Sequence, residues 1–480
     1  MNNDPHIERV KGISSLAAIR SVYFIGIGGI GMSAIARYFH SRGVQVSGYD
    51  KTETTLCRQL VQEGIPISYV DDLDSIPKEA ELIVYTPAIP KAHLGLNYYR
   101  DNGYNVVKRS DVLEAISRES FNICIGGTHG KTTITTMVAH ILRHSGYGCT
   151  AFLGGISTNY GTNFWSSPNN VCVIEADEYD RSFLKLSPDV AIITAMDADH
   201  LDIYGDARTM EDAFIGFADK VKEGGLLLSR FGLKRMKETK TATRKTYSLG
   251  NDAASIYASN IRIQEGGYEF DVRLGGDAVN GVELKMGGMH NVENMVAAIG
   301  VARHLDIEHD KIRAAVAAFK GVKRRFEYII PPVVQEEGAW MRPVFIDDYA
   351  HHPEELKALI KSARTLFPQR KVTVIFQPHL FSRTRDFKNE FSASLSIADA
   401  LVLLPIYPAR ELPIDGVTSE ILLQGIGVEQ KQILDKEALL SWARKYVATL
   451  DKDFGEVIIT AGAGDIDALV QPLKEIIETA

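Results

Sequence analysis

Short apolar runs that lead into glycine-rich segments set the pattern of this chain. Val22–Ile25 enters a glycine cluster that is followed by a helical pattern over Met32–Ser41. Phe121–Ile125 enters a second glycine cluster, which precedes a helical pattern over Thr133–His144. A buried strand, a tight turn and a helix in this order open a parallel α/β unit. The pattern therefore predicts two such units in succession.

Further apolar runs extend both units. Glu81–Tyr85 belongs to the first unit, and Val171–Ile174 and Ala191–Thr194 belong to the second, where each run ends in acidic residues. Residues 237–285 show short alternating segments with glycine turns, which predict a small antiparallel excursion. An alanine-rich helix is expected to begin near Asn291.

The last third of the chain repeats the α/β pattern. Its strand candidates are separated by helical stretches and comprise Val344–Ile346, Val372–Phe376, Ala400–Leu404 and Val457–Thr460. With 480 residues the chain exceeds the size of a single hydrophobic core. We therefore predict an α/β fold in three domains, over residues 1–115, 116–323 and 324–480.

Composition narrows the function classes. The chain is 45% hydrophobic and 24% charged, and its net charge of −8 disfavours a nucleic-acid or anionic-membrane surface. Its four cysteines are far apart, so we expect buried free thiols rather than a disulfide framework or a structural zinc site. We see no signal peptide and no apolar run long enough to span a membrane, and we expect a cytoplasmic protein.

The first glycine cluster has the spacing of a dinucleotide-binding turn. Gly26–Gly31 reads GxGxxG, and Asp50 follows about twenty residues later. Such a turn lets a diphosphate approach the start of a helix, and the acid can accept a hydrogen bond from a ribose hydroxyl. The residues alone leave three possibilities: a nicotinamide cofactor, a nucleotide sugar, or a plain strand-to-helix turn. They predict a Rossmann-like N-terminal domain.

The second cluster, Gly126–Thr132, resembles a P-loop and with Thr133 gives the sequence GKTT. Backbone amides would hold the phosphates of ATP, Lys131 would neutralise the outer ones and Thr132 would reach Mg²⁺. The loop departs from the usual spacing because Ile125 occupies the place of the first glycine. We predict a central P-loop ATPase-like domain.

Acidic residues follow two strands of this central domain. Glu175, Asp177 and Glu178 come after one strand, and a second group consists of Asp197, Asp199, His200 and Asp202. Open α/β sheets place their sites at the carboxyl ends of strands, and Mg²⁺ prefers oxygen ligands. Because of the upstream GKTT loop we favour metal binding over a solvated acidic face.

The last third concentrates polar residues after two of its strands, in Asp347–Pro353 and Gln377–Arg385. Arg324 and Arg325, just before Phe326 and Glu327, could supply a cation to a transferring phosphate. An adjacent arginine pair can equally belong to a solvated face, and individual histidines here could be structural. The pattern predicts a C-terminal Rossmann-like domain with a site of its own.

Together these segments resemble the Mur ligases, ATP-dependent amide-forming enzymes of peptidoglycan synthesis. The resemblance spans nearly the whole chain. It is carried by Gly26–Ala36, Gly127–Thr133, Glu175–Phe183, Asp197–Gly205, His290–Ala298, Arg324–Glu327, Asp347–Pro353 and Phe376–Phe387.

The resemblance implies a role for each matching residue. A UDP sugar would contact Gly28, Gly29, Ile30, Gly31, Asp50 and Thr86. ATP would contact Gly127, Thr128, His129, Gly130, Lys131, Thr132, Thr133, His290, Asn291, Asn294, Arg325 and Asp348. Mg²⁺ or Mn²⁺ would be held by Thr132, Glu175 and His200. The amino acid would meet Tyr349, His351, His379 and Arg383. Catalysis would depend on Lys131, His200, Arg325 and His351.

The implied reaction joins L-alanine to the lactyl carboxylate of UDP-N-acetylmuramate through an acyl phosphate. EADEYD, at residues 175–180, also fits a relative that attaches murein tripeptide to the same nucleotide. His200–Ile215 contains no lysine, so no carbamylated lysine is expected. The rival classes are a nicotinamide-dependent dehydrogenase and a regulatory protein that hydrolyses ATP without forming an amide. We expect a monomer or weak homodimer.

Overall fold

The computed structural model describes residues 16–179, 181–197, 201–264, 266–333, 341–409, 411–451 and 453–479. Within these ranges the backbone forms three β-sheets connected by helices, which confirms the predicted α/β class. Contacts within the chain define two compact units, residues 1–257 with 296–315 and residues 258–295 with 316–480. The three domain boundaries drawn from the sequence stay predictions.

The first unit opens with a five-stranded parallel sheet and its helices. In chain order the elements are β1 (Ser21–Ile25), α1 (Ile30–Ser41), β2 (Gln45–Tyr49), α2 (Thr55–Gln62), β3 (Ile67–Ser68), β4 (Leu82–Tyr85), α3 (Leu94–Asp101), β5 (Val106–Lys108) and α4 (Arg109–Glu119). The strand order is β3-β2-β1-β4-β5. The central strands are buried, as expected for apolar runs in a sheet covered on both faces.

A larger sheet follows in the same unit. Its elements are β6 (Phe121–Gly126), α5 (Lys131–His144), β7 (Thr150–Ser157), β8 (Thr162–Trp165), β9 (Val171–Glu175), β10 (Val190–Ile193), α6 (Leu201–Tyr204), α7 (Ala207–Ala218), β11 (Leu226–Arg230), β12 (Thr243–Ser248) and β13 (Ile256–Gln264). From the edge strand β8 the order is β8-β7-β9-β6-β10-β11-β12, and the first residues of β13 lie beside β12. Strand β8 is antiparallel to β7, and the other pairs in this order are parallel.

The antiparallel excursion predicted for residues 237–285 is wrong at its start. Strand β12 pairs parallel with β11, and the first residues of β13 pair parallel with β12. Strand β12 is exposed over its first three residues and buried only at Tyr247, a pattern that reveals nothing about strand direction. The antiparallel pair begins later, with β14 (Gly267–Leu274) and β15 (Asp277–Leu284) of the second unit.

The remaining elements complete the chain. They are α8 (Met289–His304), α9 (His309–Ala317), β16 (Glu327–Ile330), β17 (Val344–Asp348), α10 (Pro353–Leu366), β18 (Lys371–Phe376), α11 (Phe381–Asp386), α12 (Lys388–Leu395), β19 (Ala400–Leu403), α13 (Glu420–Leu423), β20 (Gln430–Ile433), α14 (Lys436–Tyr446), β21 (Glu456–Ala461) and α15 (Val470–Glu478). The six-stranded sheet of the second unit has the order β16-β17-β21-β18-β19-β20, and β16 is its antiparallel edge strand.

Within the first unit, α1 packs directly on the larger sheet. The ring of Tyr38 lies 5.5 Å from that of Phe152. Asn163 on β8 is fully buried; it donates to the Ile30 carbonyl and to Ser33 Oγ 2.9 Å away. Because a buried amide that loses its partners is costly, these contacts hold the start of α1 against the larger sheet. The two glycine turns therefore belong to one packed body.

The cysteines and the helices also bear on the sequence analysis. Cys57, Cys124, Cys149 and Cys172 are free and buried, as predicted. Among the described residues no helix combines the length and hydropathy needed to cross a bilayer.

Candidate active site

The first glycine turn is packed from both sides. Gly26 has a positive φ of 87°, and Gly28 N–H donates to Asp50 Oδ2 at 2.8 Å. A Cβ added to Gly28 would lie 2.5 Å from Cys57 Sγ, and one added to Gly26 would lie 2.8 Å from Thr86 Cγ2. Glycine is therefore required here for close packing as well as for the backbone angle. Asp50 and Thr86 both lie at the turn, and their contacts with a ribose or uracil stay predictions.

The second turn also depends on glycine. Gly127 has a φ of 135°, and a Cβ placed on it would lie 2.0 Å from Thr194 Oγ1. Thr128 N–H donates to the Ala195 carbonyl at 3.2 Å, which fixes the turn to the end of β10. Gly130, with a φ of 79°, is the residue before α5, so the helix begins at Lys131 rather than at Thr133 as predicted. Lys131 and Thr132 consequently belong to the first helical turn, where the helix dipole favours anions.

Lys131 is held by two oxygens. Its Nζ donates to the Gly127 carbonyl at 2.7 Å and forms an ion pair of 2.8 Å with Glu178 Oε1. The Glu178 side chain is only 2% exposed. The sequence placed Glu178 in an acidic group for which metal binding was favoured, and the structure identifies it as the counterion of Lys131.

Glu175 lies beside Lys131 and joins the second turn to β7. Thr132 Oγ1 donates to Glu175 Oε1 at 3.0 Å, and Gly154 N–H donates to Oε2 at 3.0 Å. Burial raises the pKa of Glu175, while the nearby Lys131 charge opposes that rise. Gly154 was missed in the sequence because its role depends on a strand, β7, that only folding brings to Glu175.

Thr132 and Glu175 provide two adjacent oxygens, the ligand type that Mg²⁺ prefers. The third predicted ligand, His200, and its neighbour Asp199 lie outside the described residues. Among the residues that the structure does describe, no group of three or more His, Cys, Asp and Glu side chains is arranged to hold a metal. His129 and Asp197, 3.5 Å apart, are both largely exposed.

A cavity of about 160 Å³ lies between the start of α1 and the end of β9, and we call it the junction cavity. Ile30 and Gly31 of α1 line one side, and Glu175 and Asp177 line another. Arg109, the first residue of α4, also lines it. The cavity therefore connects the helix start behind the first turn with the carboxylate beside the second.

In the second unit the adjacent arginines have different environments. Arg324 Nε donates to Asp347 Oδ2 at 3.0 Å, and Asp347 is 1% exposed and also accepts a hydrogen bond from Thr460. The solvated-face interpretation is therefore wrong for Arg324, which has a structural ion pair. The Arg325 guanidinium lies 5.8 Å from the centre of the Tyr349 ring.

The predicted adenosine-side residues fall into two groups. Asp348 accepts hydrogen bonds of 2.7 Å from the Phe326 and Ala350 amides, and burial raises its pKa to about 6. At the start of α8, Asn294 Nδ2 donates to Asn291 Oδ1 at 3.1 Å. His290 lies on the same first turn, packed against Gly288.

The predicted amino-acid side is brought together by the loops after β17 and β18. The His351 ring lies 5.1 Å from the Tyr349 ring and 6.0 Å from the His379 ring. Burial lowers the pKa of both histidines, and the Arg383 charge lowers them further, so both rings are neutral near pH 7. His379 Nδ1 and Arg383 Nη1 are buried without a hydrogen-bond partner among the described residues. Such groups are suited to a small polar ligand.

Three family models match successive parts of the chain. Residues 21–121 match the Mur ligase family catalytic domain, residues 125–302 the Mur ligase middle domain, and residues 324–464 the Mur ligase glutamate ligase domain. The UDP-N-acetylmuramate–L-alanine ligase of Cytophaga hutchinsonii is 46% identical over 473 residues, covering 97% of this chain and 98% of that protein. The chain belongs to the Mur ligase family.

Other Mur ligases are similar to this chain in sequence or in structure. The UDP-N-acetylmuramate–L-alanine ligase of Porphyromonas gingivalis strain W83 is 45% identical, covering 96% of this chain and all of that protein. The crystal structure of a UDP-N-acetylmuramate-alanine ligase from Thermotoga maritima has a TM-score of 0.77 at 27% identity, covering 96% of this chain and 99% of that one. A murein peptide ligase from Psychrobacter arcticus has a TM-score of 0.64 at 22% identity, covering 96% and 99%, and shows the fold alone.

Proposed function

We propose that this Mur ligase joins L-alanine to the lactyl carboxylate of UDP-N-acetylmuramate with hydrolysis of ATP to ADP and phosphate. The observation that carries the proposal is the pair of glycine turns in one packed body, with a junction cavity that extends from the start of α1 to Glu175, the hydrogen-bond partner of Thr132. The first turn would hold the UDP diphosphate, which replaces the nicotinamide possibility left open by the residues alone. The alanine ligases that are 45% and 46% identical over at least 96% of this chain support the choice of substrates.

In the first step a carboxylate oxygen attacks the γ-phosphorus of ATP, and the bond to the ADP oxygen breaks. The acyl phosphate and ADP result. Lys131 and the first-turn amides of α5 would stabilise the charge that develops on the phosphoryl oxygens. No protein nucleophile is needed, so the contribution of the protein is mainly positioning and charge.

In the second step the amine of alanine attacks the acyl carbon, and phosphate leaves from the tetrahedral intermediate. The amine must lose a proton, and a neutral histidine such as His351 can accept it. Arg383 would pair with the alanine carboxylate. Arg325 would contact ATP phosphates, and His290, Asn291 and Asn294 would contact adenine.

A divalent ion is implied by the family and by ATP. Thr132 and Glu175 would hold it together with His200, and its chemistry would be to neutralise phosphate oxygens. The hydroxyl and carboxylate that lie 3.0 Å apart fit an oxygen-preferring ion such as Mg²⁺ or Mn²⁺.

The test is an ADP-release assay coupled to product detection by mass, with each substrate omitted in turn. We expect ADP release only when UDP-N-acetylmuramate, alanine and ATP are all present. Product formation with murein tripeptide but not with alanine would show that the amine substrate is the peptide rather than alanine. ATP hydrolysis at the same rate without the other two substrates would instead favour a regulatory protein that hydrolyses ATP without forming an amide.

The raised pKa of Asp348 should make its proposed contact with the ATP ribose depend on pH. An ionised carboxylate accepts hydrogen bonds from ribose hydroxyls at both oxygens, whereas protonation turns one oxygen into a donor. Because the pKa of Asp348 is raised to about 6, its protonation begins just below neutral pH. We expect the KM for ATP to rise as the pH falls from about 7.5 to about 5.5, and Asp348→Asn to remove most of that rise. Steady-state kinetics with the other substrates saturating would measure it.

Because ATP itself also titrates, the relevant quantity is the difference between the two proteins over the same pH range. Parallel KM profiles for wild type and Asp348→Asn would contradict a ribose contact by this carboxylate.

A further inference from the structure

The junction cavity contains a basic residue that none of the roles above explains. Among the described residues that line it, Arg109 is the one cation, and Glu175 and Asp177 are the acids. A Cβ placed on Gly31 would lie 2.7 Å from Arg109 Nη1, so the guanidinium covers the start of α1. On its other side Nη2 donates to Asp177 Oδ2 at 3.2 Å. Arg109 therefore bridges the helix start behind the first turn and the loop that follows Glu175.

The partner of Arg109 is a replaceable one. The Arg109 side chain is 20% exposed and that of Asp177 is 41% exposed. Water screens an ion pair of this kind, and the single contact of 3.2 Å is long for a charge-assisted hydrogen bond. A guanidinium can make two parallel hydrogen bonds to a carboxylate or phosphate. Arg109 makes one hydrogen bond to Asp177, so this capacity for two parallel bonds is not used there.

We propose that Arg109 binds the anionic part of the UDP sugar, which replaces Asp177 as its partner; this rests on the proposed function. Two groups of that substrate carry the required chemistry. The diphosphate would lie at the start of α1, next to Gly31, and the lactyl carboxylate must reach the Glu175 side of the cavity. Arg109 is thus a substrate-binding residue supplied by the start of α4, outside both glycine turns.

The experiment measures equilibrium binding of two nucleotides by calorimetry. UDP-N-acetylmuramate carries both anionic groups, while UDP-N-acetylglucosamine carries the diphosphate alone. We expect Arg109→Gln to raise the Kd for UDP-N-acetylmuramate about 10- to 100-fold, the loss of hydrogen bonds to a charged group, with the Kd for ATP unchanged. An equal loss for both nucleotides would identify the diphosphate as the partner. A loss confined to UDP-N-acetylmuramate would identify the carboxylate.

Two further variants separate binding from structure. Arg118→Gln removes the same charge from the far end of α4, where Arg118 is exposed and pairs with Glu114, and should bind both nucleotides like wild type. Asp177→Asn removes the competing partner and should not weaken binding. The proposal is overturned if Arg109→Gln binds both nucleotides normally, or if Asp177→Asn weakens binding as much as Arg109→Gln does.

These results also separate the proposal from its premise. A wild-type protein that forms the alanine product while Arg109→Gln binds UDP-N-acetylmuramate normally would overturn the role of Arg109 alone. A wild-type protein that binds neither nucleotide would overturn both the role of Arg109 and the proposed function.

Discussion

Replacing Lys131 by methionine should reduce amide formation by at least about 10³-fold, because the main cation beside the transferring phosphoryl group is lost. The same change removes the partner of Glu178, whose carboxylate is buried and forms an ion pair of 2.8 Å with Lys131. An uncompensated buried charge costs roughly 3 kcal/mol or more, so the variant should also unfold at a lower temperature. Product formation and thermal unfolding measure the two effects separately.

The matched control is the double variant Lys131→Met with Glu178→Gln. It removes both charges of the pair, so it should recover much of the lost stability while leaving activity as low as in Lys131→Met. If activity returned together with stability, the role of Lys131 would be structural. Glu178→Gln alone should keep the fold and change the KM for ATP, since it releases Lys131 from its counterion.

The glycine turns could be predicted from sequence because their chemistry is local. Gly127, Gly130 and Lys131 act within one strand, turn and helix, and the spacing alone identifies that arrangement. The boundary of α5 was missed by two residues because Gly130 adopts its left-handed angle immediately before the helix. A glycine in this position ends the turn rather than forming part of a longer loop.

Residues that act through tertiary contacts could not be predicted. Arg109 is the first residue of an ordinary amphipathic helix, and its place in the junction cavity depends on how α4 packs against α1. Asn163 is one of several asparagines in a loop-like stretch, yet it is fully buried and bonded to the start of α1. Glu178 could be recognised as acidic but not as the partner of Lys131, because 47 residues separate them.

Strand direction was also beyond the sequence pattern. Strand β12 lies between β11 and β13 and is exposed over its first three residues, and this pattern of exposure does not distinguish a parallel strand from an antiparallel one. Because β12 runs parallel to β11, the chain between them returns to the end of the sheet at which β11 begins. The parallel pairing continues into the first residues of β13.

Gly154→Ala should disable the carboxylate of Glu175 without altering any charged residue. A Cβ on Gly154 would lie 2.1 Å from Glu175 Oε2 and 2.5 Å from Oε1, far inside van der Waals contact. Either the carboxylate turns away from Thr132 or β7 moves and loses the Gly154 amide hydrogen bond to it. We expect kcat/KM for ATP to fall about 10- to 100-fold and the Mg²⁺ concentration for half-maximal activity to rise, as measured by magnesium titration in the ADP-release assay.

A variant that acts through Glu175 must be non-additive with a change at Glu175 itself. Glu175→Gln and the double variant Gly154→Ala with Glu175→Gln should therefore have nearly equal activity. Gly216→Ala is the matched control, because its nearest neighbour, Leu184 Cδ2, would lie 3.6 Å from the new Cβ and alanine favours the α7 helix. It should keep full activity and an unchanged magnesium requirement. Additive losses in the double variant, or a normal magnesium requirement in Gly154→Ala, would show that Gly154 affects activity without acting through the Glu175 carboxylate.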